Sequence, residues 1–299
     1  MGNIEKEKID KEFEANLYGG LAKKDKREIK IPKSRNIKKT PSKVELFLIT
    51  RSYKPEDLRE WVDYHLAIGF DLITILDNRS YFSVKKLFED YKNVDVRILN
   101  IKWKNFVYMA DIYNQFCFEK KGKTDWLALI DDDEYIYLKN EKNIKNVLNY
   151  EYKVLSFYWK YISSKDLMKS REKTVIDTFH YARDSKKGAY PVWVKSIVNL
   201  NRYNAVRWKT PHTPIFRLGE TLPRTVDGTI VNFEHTPPIS DDFYDNQTGI
   251  LYHYFEQSEE DWVYKIKDRP NFKLEDFGKN HSYNIEDYSM INRKKELGI

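Results

Sequence analysis

The sequence contains one cysteine, Cys117, among 299 residues. A single thiol excludes an intramolecular disulfide and a cysteine-based zinc centre. It fits a reducing compartment. No apolar run approaches the ~20 residues needed to span a bilayer. The N-terminus has no apolar leader core. These absences predict a cytoplasmic protein. No Gly-x-Gly-x-x-Gly follows the first predicted strand, which argues against a dinucleotide fingerprint. There is no Walker lysine loop, and the acidic residues lack the spacing and glycine of an EF-hand loop. No nucleic-acid-binding module is recognisable, so nucleic acid is not an expected partner.

What is present is aromatic and mildly basic. There are 22 Tyr, 16 Phe and 7 Trp, and the formal net charge is +6. Aromatic side chains build cores and also line sugar or base sites. Mild basicity suits nucleotide diphosphates or a peripheral contact with an anionic membrane. The basic excess lies in residues 1–43, which are rich in Lys and Glu and poor in large apolar side chains. That composition predicts a mobile N-terminal extension.

From residue 44 onward the pattern alternates. Val44–Thr50 reads as a strand. Pro55 opens a helix whose apolar face is Leu58, Trp61, Val62, His65 and Leu66, and Gly69 stops it. Asp71–Leu76 is a second strand, ending in Asp77-Asn78-Arg79-Ser80. Residues 82–91 read as a helix, Val94–Leu99 as a strand, and 105–121 as a longer helix ended by Gly122. Trp126–Ile130 then forms a fourth strand. The order β-α-β-α-β-α-β predicts an α/β fold, with a mostly parallel central sheet and helices on both faces. After residue 140 a short helix over 143–149 precedes strands at Val154–Tyr158, Thr174–His180, Val194–Leu200 and Thr229–Glu234. These predict an antiparallel extension with long loops. Ser258–Asp268 reads as a helix capped by Ser258, with Glu259, Glu260 and Asp261 in its first turn.

The chain is organised around Trp126-Leu-Ala-Leu-Ile-Asp-Asp-Asp-Glu134, where an apolar strand runs into four carboxylates. Four adjacent acids at the end of a buried strand need positive charge, and a divalent cation prefers such oxygens. With strand-like alternation, Asp131 and Asp133 would share a face and reach one ion. A solvated acidic turn is the alternative reading. A haloacid-dehalogenase phosphatase would carry its Asp-x-Asp near the domain's start, not after a fourth strand. Asp77 also ends a strand and would open onto the same rim, where ligands collect in open α/β sheets. An Asx turn is the plainer account of Asp77 and Asn78. Further ligands to an ion must come from elsewhere in the chain, and imidazole is a common one. His65 lies on an apolar helix face and reads as a core residue. His212, between two prolines, and His253, between Tyr252 and Tyr254, are the candidates, with His253 preferred.

Four segments, taken together, resemble GT-A glycosyltransferases of the family-2-like and family-92 group. The first comprises Arg51, Glu60-Trp61-Val-Asp-Tyr-His65, Gly69 and Asp77-Asn-Arg-Ser80. The second comprises Gln115, Cys117, Trp126 and Ile130-Asp-Asp-Asp-Glu-Tyr135. The third is Trp159-Lys-Tyr-Ile-Ser-Ser164, with Val194-Lys-Ser-Ile-Val198 and His212. The fourth is His253-Tyr254, Ser258 and Lys265. The likeness covers roughly residues 44–268. Tyr161-Ile-Ser163 replaces the group's usual Phe-Gly-Ser, which leaves acceptor identity open.

The resemblance implies a metal-dependent transfer from a nucleotide-sugar donor, expected to be a UDP-sugar, to a hydroxyl acceptor. The expected acceptor is a glycan or a lipid-linked saccharide, and the expected stereochemical course is inversion. Asp131 and Asp133 map onto the DxD motif, with Mn2+ or Mg2+ as the cofactor and a histidine completing the site. Lys195 or Arg51 would offset charge on the leaving diphosphate, and Asp77, Asn78 and Asp131 would face the nucleotide. Inversion requires a base, for which Glu234 and Asp241 are candidates. The expected organisation is an extension over 1–43, a GT-A domain over 44–270 with nucleotide-sugar (44–140) and acceptor (141–270) halves, and a tail over 271–299. A non-catalytic nucleotide- or glycan-binding module on the same fold is the competing reading.

Overall fold

The computed structural model describes residues 43–99, 106–184, 193–202, 207–208, 212, 214–215, 223–231, 244, 247–267, 272–279 and 282–299. All of these fall within one compact unit spanning 39–216 and 221–299. The expected extension, apart from Lys43, lies outside the described residues, as do Glu234, His235 and Asp241.

Four parallel strands form the centre: β1 (Val44–Thr50), β2 (Leu72–Asp77), β3 (Val94–Ile98) and β4 (Trp126–Leu129). Their spatial order is β3-β2-β1-β4. β1 pairs in parallel with β2 on one side and with β4 on the other. The chain therefore reverses its direction of winding at β1, and the crevice between β1 and β4 is a topological switch point.

Alternating side chains explain the layers. Leu46 and Leu48 of β1, with Trp126, Ala128 and Ile130, pack against Leu58, Trp61 and Val62 of α1 (Pro55–Ala67). Phe47, Leu127 and Leu129 point the other way, against Tyr113, Phe116 and Cys117 of the helix Phe106–Lys120. Phe47 stacks on Phe116 with ring centroids 3.9 Å apart. Helices thus cover both faces of the parallel centre. α1 ends where Gly69 takes φ +98°, a conformation that favours glycine. The Phe70 amide closes that end on the His65 carbonyl at 3.2 Å.

Beyond β4 the sheet continues antiparallel. β8 (Val194–Asn199) pairs with β4, and β6 (Val154–Ser163) pairs with β8. β11 (Gly249–His253) runs parallel to β6 and antiparallel to β5 (Glu134–Leu138). This is the α/β architecture the sequence pattern predicts. Some elements differ. The expected strand over Thr174–His180 contains a short helix, Val175–Thr178, and the helix over 82–91 is confined to α2 (Val84–Leu87). The segment 143–149 holds only a 3-10 turn, Ile144–Asn146. The segment expected as a tail is folded. Its strand β12 (Tyr283–Glu286) pairs with β7 (Tyr181–Arg183), and its helix Ser289–Leu297 buries Met290 and Arg293; β9 (Arg207–Trp208) and β10 (Pro214–Ile215) form a separate antiparallel pair. Among the described residues no helix is long and apolar enough to cross a membrane.

Candidate active site

β4 delivers the acidic run to the carboxyl rim of the sheet. Ile130 is the last side chain packed into the α1-side core. The chain then turns instead of continuing as a strand. The Glu134 amide donates to the Asp131 carbonyl at 3.2 Å, and the Asp131 amide donates to Glu134 Oε2 at 2.8 Å. Strand-like alternation therefore does not extend to Asp131 and Asp133, and the two carboxylates have separate partners.

Asp131 Oδ2 accepts from Lys195 Nζ at 2.8 Å, and the same ammonium lies 3.6 Å from Glu134 Oε2. Lys195 is only 1% exposed. Burial alone would lower its pKa, but Asp131 and Glu134 outweigh burial and keep it protonated. Asp132 accepts a hydrogen bond from the Thr50 hydroxyl at the end of β1. Burial, reinforced by the charge of Asp133, pushes its carboxyl up to about 6. Asp133 accepts from Lys265 Nζ, and its Oδ2 lies 3.5 Å from His253 Nε2. Burial would raise Asp133, yet the nearby Lys265 and His253 hold it well below the usual carboxylate range. Burial pushes Glu134, fully enclosed, well above its ordinary value.

Asp133, Glu134 and His253 each offer a ligand atom, and these atoms all lie within 4.8 Å of one another. Glu134 Oε1 and His253 Nδ1 are buried without a hydrogen-bond partner among the described residues, and buried polar atoms are rarely left so. Two carboxylates and an imidazole suit a divalent cation of the Mn2+ or Mg2+ kind. Asp131 lies outside this group of three, as does His212. Burial and the neighbouring Lys195 charge push His212 down to about 3. Its ring instead packs between Trp159 and Trp193, with centroids 5.2 and 4.6 Å away. Trp159 also contacts His253 at 4.1 Å, so both histidines belong to one aromatic cluster.

The nucleotide-facing candidates share the rim. Thr50 is the register partner of Asp77, and the Asn78 amide donates to the Thr50 carbonyl at 2.7 Å. Asp77 Oδ1 accepts from the Ser80 amide, three residues on, at 2.8 Å, a local side-chain-to-backbone bond. Arg51 is exposed, with its guanidinium 5.4 Å from the Tyr81 ring centroid. His65 is buried in α1, its Nδ1 bonded to the Trp61 carbonyl at 2.8 Å.

Sequence reading assigned no site role to Glu134, Thr50 or Asp132, and placed Lys265 only within the resemblance. Glu134 was legible as the fourth acid of the run, but its burial depends on the β5–β11 pairing. Lys265 reaches Asp133 from the helix Glu259–Ile266, whose start is fixed by a capping box between Ser258 and Asp261.

No family model matches the chain. No curated protein matches it. Among solved structures, one described as a glucose-1-phosphate thymidylyltransferase from Bacillus anthracis in complex with sucrose is 10% identical, with a TM-score of 0.32. The match spans 53% of this chain and 71% of that one. HddC from Yersinia pseudotuberculosis is 13% identical over 75% of this chain and 97% of its own, with a TM-score of 0.31. The same protein complexed with GMP-PN is 11% identical over 71% and 89%, with a TM-score of 0.29. Likenesses this distant do not bear on the chemistry of the site.

Proposed function

We propose that this chain is a metal-dependent transferase that uses a nucleotide-sugar donor, and that it transfers the sugar to a hydroxyl acceptor on a GT-A scaffold. The observation that carries this reading is the Asp133, Glu134 and His253 donor set, with ligand atoms within 4.8 Å of one another. It stands at the carboxyl rim of a parallel sheet beside a topological switch point, where open α/β sheets take ligands.

A divalent cation bound there would offset the charge that develops on a departing diphosphate. The protein's own groups have definable parts. Glu134 and Asp133 supply anionic oxygens from a turn fixed at both ends. The Trp159 ring packs against His253, and the β11 backbone sets its direction. Lys195, held by Asp131, keeps a permanent positive charge beneath the rim. Lys265 brings a second ammonium from the opposite wall. Four carboxyl groups thus crowd two ammonium groups, and a dication bound there would favour the ionised form of Glu134 and Asp132, which burial opposes. Asp77 and Asn78 lie at the neighbouring strand end, where a nucleotide can reach the same rim. The donor in this reading is a UDP-sugar, and the acceptor a glycan or lipid-linked saccharide. No described residue is assigned as the base.

The test is UDP release from UDP-sugars by the full chain, with and without manganese. Turnover that requires the metal and is abolished by Asp133→Asn supports the reading. Nucleotide or glycan binding without any turnover would favour the non-catalytic module instead.

A further inference from the structure

An exposed indole stands at the open end of the acid cluster. Trp193, just before β8, is 45% exposed, whereas tryptophan is usually highly buried. Its carbonyl accepts from the Trp159 amide at 2.9 Å, extending the β6–β8 ladder. Residues two apart on a strand share a face, so Trp193 and Lys195 lie on one side, about 7 Å apart. Lys195 is the residue that holds Asp131. Lys195 stands opposite Phe157, while Leu251 and His253 stand beside Trp159 and Tyr161. By the same alternation Trp159 and His253 occupy that face as well.

Trp193 is backed by other rings. The His212 ring lies against it at 4.6 Å with an interplanar angle of 23°. His212 meets Trp159 near edge-on at 5.2 Å, and Trp159 meets His253 at 4.1 Å. An aromatic wall therefore runs from solvent to Asp133. Among the described residues on this face, the Lys195 ammonium already serves Asp131 and Glu134.

A flat, uncharged, π-rich surface with solvent in front takes an apolar, ring-shaped partner. A pyranose presents one: C–H bonds line a face of its ring while hydroxyls project from the edge. An acyl or polyprenyl chain needs an extended apolar groove, which a single indole does not provide. A phosphate needs unspent positive charge, and among the described residues Lys195 has already been taken up by carboxylates.

We propose that Trp193 is the sugar-stacking shelf of the acceptor subsite. One pyranose ring of the acceptor lies on the indole, with its reacting hydroxyl turned toward the His253 end of the wall. This inference rests on the transfer reading above, and it names the part of the acceptor that is recognised, the C–H face of one pyranose ring.

The test uses the full chain with methyl glucoside, methyl galactoside and methyl N-acetylglucosaminide as probes. Sorbitol controls for hydroxyls without a ring. Saturation-transfer NMR reads binding, and UDP release from UDP-glucose without acceptor reads donor turnover. The expected result is saturation of the C–H protons of at least one pyranoside and none for sorbitol. Trp193→Ala should weaken pyranoside binding about tenfold, with Trp193→Phe restoring it. Equal pyranoside binding by wild type and Trp193→Ala, or no binding by either, overturns the shelf even where UDP release persists. Binding that depends on Trp193 with no UDP release leaves the saccharide site standing and sinks the transfer reading.

Discussion

His253 stands directly opposite Glu134 in the antiparallel ladder between β11 and β5. The imidazole and the carboxylate therefore meet because two backbones are in register, before any ligand is considered. A one-residue slip would turn His253 to the other face and bring a tyrosine in its place. Gly249 opens β11, and a Cβ there would come within 2.7 Å of the Phe157 ring and 2.9 Å of Val226.

Gly249→Val should accordingly damage the site without touching a ligand. Overpacking of this kind costs about 1–3 kcal/mol. The expected outcome is a lower thermal midpoint together with weaker manganese binding, measured by calorimetric titration of the folded fraction. Loss of stability with unchanged manganese affinity would uncouple the register from the site.

Lys265 and a cation would compete for one oxygen of Asp133. The ammonium donates to Asp133 Oδ2 and also to the Phe255 carbonyl at 2.8 Å. Lys265→Met keeps the apolar stem and removes the charge. Manganese affinity in the absence of nucleotide should then rise about fivefold, the scale of a partly exposed ion pair. A fall in affinity would mean that the lysine supports the ion's site instead of competing for it.

His65 gives the fold an acid-sensitive element in the core behind the acidic run, where its ring stacks on Tyr135. Burial pushes its imidazole down to about 3, against a smaller opposing effect of its bond to Trp61. The folded chain keeps it neutral, while the unfolded chain protonates it below about 6.5. Its contribution is complete above that pH and is lost as pH falls toward 3, by about 1.4 kcal/mol per unit. Urea midpoints measured between pH 7 and 5 should fall in the wild type and fall less steeply in His65→Phe. Parallel slopes for the two proteins would show that His65 is protonated in the folded state.

The C-terminal helix Ser289–Leu297 is fastened through Glu60 of α1. Glu60 accepts from Lys294 Nζ at 2.6 Å, the Thr174 hydroxyl at 2.6 Å and the Ile176 amide at 3.1 Å. Glu60→Ala takes the side-chain acceptor from the buried Ile176 amide and leaves Lys294 and Thr174 with Asp177, so stability should drop by about 2 kcal/mol. Chemical denaturation checks the magnitude, and protease cleavage near residue 288 should accelerate. A change below about 0.5 kcal/mol, the size of an ordinary surface substitution, would contradict the fastening role.

The parallel centre was legible because its signals are local. Val44–Thr50 and Trp126–Ile130 are apolar runs with helices between them, Gly69 marks a helix end, and Ser258 a helix start. Val175-Ile-Asp-Thr178 was not legible, since its β-branched residues favour a strand while the chain makes a single helical turn. The tail was missed for a different reason. It has few apolar side chains to signal packing, yet Arg293 donates to the Leu138 carbonyl at 2.6 Å and Lys294 to Glu60. Within the site, the acidic run and His253 were visible in the sequence. The turn that separates Asp131 from Asp133 is closed locally by Glu134, against the strand-like alternation the apolar run suggests, and the pairing that buries Glu134 opposite His253 joins residues more than a hundred positions apart.

The central claim, a cation site made by Asp133, Glu134 and His253, is tested most directly by manganese titration followed by electron paramagnetic resonance. Wild type, Asp133→Asn, His253→Ala and His212→Ala are compared as folded proteins. The account predicts affinity lowered about tenfold or more in the first two variants and unchanged in His212→Ala. A wild-type protein that leaves manganese free in solution, or a His253→Ala protein that titrates like wild type while His212→Ala loses the metal, would contradict it.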